Sequence, residues 1–160
     1  MSVRHTAILL CTLLLGCQRF AFMTPINAAA LPPISEETEM RSFVRLMNEY
    51  RQKHGCAPLQ WDARVADVAQ RHSEDMARRR YFHHNDPQGV SPFDRLRSAH
   101  VGFRSAGENI AAGQITASQV LNDWLNSSGH RQNIENCRYT HHGLGLSNTY
   151  WTHDFVTVTQ

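Results

Sequence analysis

The 160-residue sequence predicts an α+β domain, with its helices first and its strands last. Apolar residues recur at helical spacing in capped segments between Ser35 and Leu125. From His142 onward, β-branched and aromatic residues dominate instead. No repeat or low-complexity segment interrupts the chain.

The first helix is expected over Glu36 to His54. Ser35 can cap it, Glu36 and Glu37 suit its positive end, and Gly55 can terminate it. Met40, Phe43, Val44, Met47 and Tyr50 form its apolar stripe. Pro58-Leu59-Gln60-Trp61 reads as a connector. Asp62 caps a second helix through about Arg80, with Val65, Val68, Ala69, His72 and Met76 facing inward. His72 is expected to be a satisfied core histidine rather than a ligand. Arg78-Arg79-Arg80 falls at the end of that helix, where cations complement the macrodipole.

Asn85-Asp86-Pro87-Gln88-Gly89 carries turn chemistry. Ser91-Pro92 opens a short helix packed down by Phe93, Leu96 and Arg97. Thr116 and Gln119 form a capping box. The helix behind it presents Val120, Leu121, Trp124 and Leu125, and breaks sharply at Ser127-Ser128-Gly129. His142–Leu146 and Tyr150–Thr159 read as a hairpin joined at Ser147-Asn148-Thr149, and a further strand is expected around Ile110.

Residues 1–17 have the form of an export signal. Arg4 precedes an apolar run, Ala7 to Gly16, too short to span a bilayer. Leu14-Leu15-Gly16-Cys17 resembles a lipobox, which would lipidate Cys17. Ala28-Ala29-Ala30 offers an alternative cleavage site near residue 30, but it lies far beyond the apolar run. On either reading the domain is exported. Residues 18–35, with Pro25, Pro32 and Pro33, form a linker to a domain at 36–160, expected to be monomeric. A membrane is met only through the lipid anchor.

Removing Arg4 and Arg19 leaves 14 Lys and Arg against 14 Asp and Glu. That balance excludes a phosphate-backbone binder, so no nucleic acid is expected. Cys11 and Cys17 belong to the export segment. Cys56 and Cys137 remain as an even pair in an oxidising compartment, and a disulfide between them is expected. It would stabilise by about 4–5 kcal/mol through loop closure. The competing reading is two buried thiols.

Three segments carry candidate chemistry. Gly107-Glu108-Asn109-Ile110 supplies a carboxylate. Ser128-Gly129-His130-Arg131-Gln132-Asn133-Ile134 supplies an imidazole, and Phe82-His83-His84-Asn85-Asp86-Pro87 supplies two more. His84, Glu108 and His130 could form a metal or acid–base site only if the fold brings them together. A purely structural reading also exists, with Glu108 and Asn109 tying loops and His130 capping a break. His83, His141, His142 and His153 are expected to be solvent-facing or on the sheet surface, with His141 and His142 on opposite faces. No strand–elbow–helix pattern surrounds Ser127 or Ser128, which disfavours a serine hydrolase. The histidine spacing excludes the His-Glu-x-x-His metalloprotease motif.

These motifs, in this order, resemble the CAP superfamily (cysteine-rich secretory, antigen 5 and pathogenesis-related proteins, the SCP-like domain), in its bacterial single-domain form. The likeness spans about residues 40 to 160. It includes Asn48-Glu49-Tyr50-Arg51, Pro58-Leu59-Gln60-Trp61, Ala69 to Met76, Ser91-Pro92-Phe93-Asp94-Arg95, Trp124 and Tyr150-Trp151-Thr152 beside the three segments above. The resemblance implies a three-layer α-β-α sandwich with a central antiparallel sheet and a shallow cleft. In the family that cleft holds two histidines and two acids, and the histidine pair can bind a divalent metal, often Zn2+. By motif position the metal residues here are His84 and His130, with Glu108 as ligand, tautomer holder or base. Ser127 stands where a second acid is found in eukaryotic members, with Asn126 beside it.

The resemblance thus implies an exported binding module whose cleft takes a small hydrophobic or envelope-derived ligand, with Zn2+ as its cofactor. The alternatives are a metal-assisted hydrolase of peptide or cell-envelope material, with Glu108 catalytic, and a structural or defence-related protein without chemistry. The missing second acid weighs against catalysis.

Overall fold

The computed structural model describes residues 35–159. The export segment, the Cys17 lipobox and the linker to residue 34 lie outside the described residues. Five helices and four strands follow in the order α1 (Glu36–Lys53), β1 (Gln60–Trp61), α2 (Ala63–Arg79), α3 (Pro92–Ser98), β2 (Phe103–Ala112), α4 (Ala117–Asn126), α5 (Ser128–Ile134), β3 (His141–Ser147) and β4 (Tyr150–Val158).

Four helix starts carry the side-chain caps that the sequence announces. Ser35 accepts from Thr38 N, and Asp62 accepts from Arg64 N and Val65 N. Ser91 with Asp94, and Thr116 with Gln119, close reciprocal capping boxes. Each cap satisfies backbone donors that the first helical turn leaves unpaired.

The sheet runs β1-β3-β4-β2. β3 and β4 form the hairpin, β2 pairs antiparallel to β4, and the two residues of β1 pair parallel to His141 and His142. Helices cover both faces. On one side Phe43 and Met47 of α1 and Trp124 of α4 meet Leu144, Leu146, Trp151 and Phe155. On the other, Val65 and Val68 of α2 and Leu96 of α3 meet Val156. The contact with α2 is close. A Cβ on Gly145 would lie 2.4 Å from Gln70 Cα, and one on Gly143 would lie 2.1 Å from Ala66 N.

Four expectations are corrected. The supposed connector at Pro58–Trp61 contains β1, because Gln60 N donates to Thr140 O at 3.0 Å and Asp62 N to His142 O at 2.9 Å. The break at Ser127 is followed at once by α5, without any side-chain cap. Phe93 and Arg97 do not pack α3 down. Both are exposed, and Pro92 and Leu96 fill the inward positions four residues apart. His142 and His153 are fully buried, since a strand covered on both faces has no solvent side.

Cys56 and Cys137 form the expected disulfide, with Cα atoms 4.9 Å apart. It ties the end of α1 to the segment after α5. Beside it the buried Arg51 donates to the carbonyls of Ala57, Ile134, Asn136 and Tyr139.

Candidate functional site

β2 is an edge strand, and its alternation sends neighbouring residues to opposite faces. Glu108 turns toward the α2–α3 side. Its carboxylate is 2% exposed, and both oxygens are engaged. Oε1 lies 2.7 Å from His84 Nδ1, and Oε2 accepts from Arg95 Nη2 at 2.5 Å. Because a carboxylate only accepts, Nδ1 of His84 is the donor, and in the neutral ring that leaves the lone pair on Nε2. Arg95, on α3, also donates to the carbonyls of His84 and Val90. The loop carrying His84 is held from within by Asp86, which accepts from Gln88 N and Val90 N. His84 itself is 46% exposed.

Asn109 turns the other way and is fully buried. Its Nδ2 donates to the carbonyl of His130 at 3.0 Å, while Asn133 donates to Asn109 Oδ1 at 2.8 Å and to the Glu108 carbonyl at 3.3 Å. These bonds seat α5 against the free edge of β2. Gly107 makes the approach possible, since a Cβ there would lie 2.6 Å from Tyr139 Oη and 2.7 Å from Asn133 Oδ1. The His130 ring lies 6.2 Å from that of Trp124. Burial, and secondly the charge of His84, push its pKa below the ordinary imidazole value. A neutral His130 at neutral pH can accept a metal ion through a ring nitrogen.

The profile of the cysteine-rich secretory protein family matches residues 44–160. The chain belongs to the CAP family. It is 41% identical to the YkwD protein of Bacillus subtilis over 132 residues, which cover 81% of this chain and 51% of YkwD. An extracellular protein containing an SCP domain from Bacillus anthracis is 36% identical with a TM-score of 0.71, over 79% of this chain and 45% of that one. An outer surface protein of Borrelia burgdorferi shares the fold at a TM-score of 0.73 and 23% identity, over 79% of this chain and 97% of its own. The chain spans about half or less of the length of the curated relatives it matches.

In this CAP domain the fold brings together His84, Glu108 and Arg95 on one flank of β2 and Asn109, Asn133 and His130 on the other. Ser127 and Asn126 take no part in those bonds. Ser127 ends α4, with its N–H on the Trp124 carbonyl, and Asn126 is exposed and donates to Asn122 O. His72 is the satisfied core residue that was expected. It is 2% exposed, with Nε2 3.1 Å from the His83 carbonyl. Among the described residues no group of three or more His, Cys, Asp or Glu is arranged to hold a metal ion, so His84 and His130 would offer two nitrogens.

Two members of the site are not evident from the motifs. Arg95 lies inside Ser91-Pro92-Phe93-Asp94-Arg95 and reaches back across the loop. Asp154 stands directly across the sheet from Glu108 and is fully buried. Alternation along Thr152, Asp154 and Val156, all inward and buried, is the signal that could have exposed it.

Proposed function

We propose that this CAP domain is an exported binding module in which His84 and His130 hold a divalent metal, Zn2+, at the mouth of the cleft. One observation carries the reading. A buried carboxylate lies 2.7 Å from Nδ1 of a half-exposed histidine and is braced from behind by an arginine. That is the arrangement by which an outer carboxylate fixes a metal-binding imidazole, setting its tautomer and raising its basicity. Bound Zn2+ would supply a Lewis-acidic point for a donor atom of a ligand. Both oxygens of Glu108 are spent on His84 and Arg95, so it serves as the holder of His84 rather than as a metal ligand. The same engagement leaves no carboxylate free to take a proton from water, which favours binding over hydrolysis.

The ligand is a small hydrophobic or envelope-derived molecule with a group able to meet the metal. Export is supported by the Cys56–Cys137 disulfide, which suits an oxidising compartment, and by relatives that are extracellular or outer-surface proteins. Among the described residues no helix is long and apolar enough to cross a membrane, and lipidation at Cys17 would provide an anchor.

Zinc content of the purified chain at pH 7.5 tests the reading, alongside His84→Ala and His130→Ala. The expected result is about one Zn2+ per chain, lost in both variants. A wild-type chain that takes no zinc at any pH above about 6.5, where imidazoles are ordinarily neutral, would overturn it.

A further inference from the structure

We infer that Asp154 is a positioning residue of the cleft, its neutral carboxyl donating a hydrogen bond to Glu108 from beneath and so holding Glu108 against His84. The inference deepens the metal-site reading, on which its functional meaning rests, while its test needs no metal.

Glu108 on β2 and Asp154 on β4 are direct antiparallel partners, so their side chains share one face of the sheet. Directly opposed residues have Cβ atoms about 5 Å apart, within reach of two carboxyl groups. On its other side Asp154 faces Gly143 of β3, which has no side chain to offer it. The α2 backbone presses onto Gly143 and closes the space above. Asp154 is thus sealed from water, and neither carboxyl oxygen meets a donor.

Charge decides what the pair must be. The ionisable groups acting on Asp154 are Glu108 and Arg95, the second already bonded to Glu108. With His84 in the neutral form that binds a metal, two carboxylates and one guanidinium in a dry interior leave one negative charge uncompensated. One proton between the carboxyls removes it and turns an acceptor–acceptor clash into an O–H···O bond. Both Glu108 oxygens already accept, from His84 and Arg95, while neither Asp154 oxygen meets a donor, so the proton resides on Asp154. Burial, then the Glu108 charge, raise the Asp154 pKa above the ordinary carboxylate value in the same direction. Glu108 then receives three donors, from His84, Arg95 and Asp154. A carboxylate held at three points cannot rotate away from Nδ1 of His84. A second acid is therefore present beside Glu108, in the sheet interior rather than at the surface.

A structural role alone would not set the tautomer of a ring one residue removed, so the tautomer is the readout. The 15N shifts of the His84 ring are recorded on the metal-free chain at pH 8, for wild type, Asp154→Asn and Asp154→Leu. Wild type is expected to be mainly the Nδ1–H form. Asp154→Asn should match it, because an amide N–H can still donate to Glu108. Asp154→Leu should lower the ratio of Nδ1–H to Nε2–H several-fold and weaken zinc about tenfold or more. A folded Asp154→Leu chain with the wild-type tautomer ratio would overturn the inference. So would an Asp154→Asn chain that loses the Nδ1–H form, and that arm decides the matter if the leucine variant does not fold. The expected tautomers in a chain that binds no zinc would sustain this inference and overturn the metal reading instead.

Discussion

Lowering the pH from 7 to 4.5 drives protons toward two imidazoles that the fold keeps dry. His142 and His153 are fully buried between the sheet and α1, joined by a 2.9 Å bond between Nδ1 and Nε2. The rings of Phe43, Trp124 and Phe155 enclose His153 at 5.2, 5.9 and 3.9 Å, and Trp61 meets His142 edge-on at 5.4 Å. Burial, then the Arg51 guanidinium, lower the His142 pKa to about 4. Burial, then His142, hold His153 well below the ordinary value.

In the unfolded chain both rings gain a proton as the pH falls through about 6.5. In the folded chain His142 resists until about 4. Between those values the unfolded state binds more protons, so stability falls with the pH. For His142 alone, the drop from pH 7 to 4.5 costs on the order of 2 kcal/mol by proton linkage, and His153 acts in the same direction. Asp154 opposes them. Its raised pKa contributes stability that is fully present below the ordinary carboxylate pKa and is lost as the pH rises toward the folded value. The His142 share is isolated by comparing wild type with His142→Asn in urea unfolding at both pH values, followed by tryptophan fluorescence. The variant should be the less stable at pH 7 and should lose roughly 2 kcal/mol less on acidification. Equal losses in the two proteins would refute the reasoning.

Two substitutions probe the scaffold. Arg51→Lys keeps a charge but not the fork that serves four carbonyls, and should cost about 3 kcal/mol in urea unfolding. A cost under about 1 kcal/mol would mean that other donors replace it. Gly145→Ala presses a methyl group on the Gln70 backbone and should cost about 3 kcal/mol, since a whole helix must move. Gly129→Ala, with nothing within 4 Å of the added carbon, should stay within about 0.5 kcal/mol of wild type.

What was legible in the sequence is what is written locally. Ser35, Asp62, Ser91 and Thr116 announce their helices because a cap and the amide it serves lie within three residues of each other. β1 was not legible, since two residues become a strand only through the partner that the fold brings. α5 was missed because it begins one residue after α4 ends, without a cap bond. In the site, His84, Glu108 and His130 stood out by motif. Asp154 did not, because its meaning depends on the register of β2 against β4. His142 and His153 looked like surface residues for the same reason, since burial of a strand depends on which layers cover it.

The location of the candidate site follows from the edge position of β2. A central strand would have sent Glu108 and Asn109 into two separate cores. At the edge, the two sides of the sheet meet around its rim, so one strand can hold a His84-bearing loop with one residue and α5 with the next. Two carbonyls of that edge are then occupied by side chains, Glu108 O by Asn133 and Ile110 O by Trp124 Nε1 at 3.1 Å. These bonds block further strand pairing and also lock the register. A slip of one residue would exchange Glu108 with Asn109, bringing a carboxylate against the His130 carbonyl and taking it from His84 and from Asp154. The contacts that close the sheet edge are therefore the same ones that keep the carboxyl pair and the two imidazoles on their proper sides.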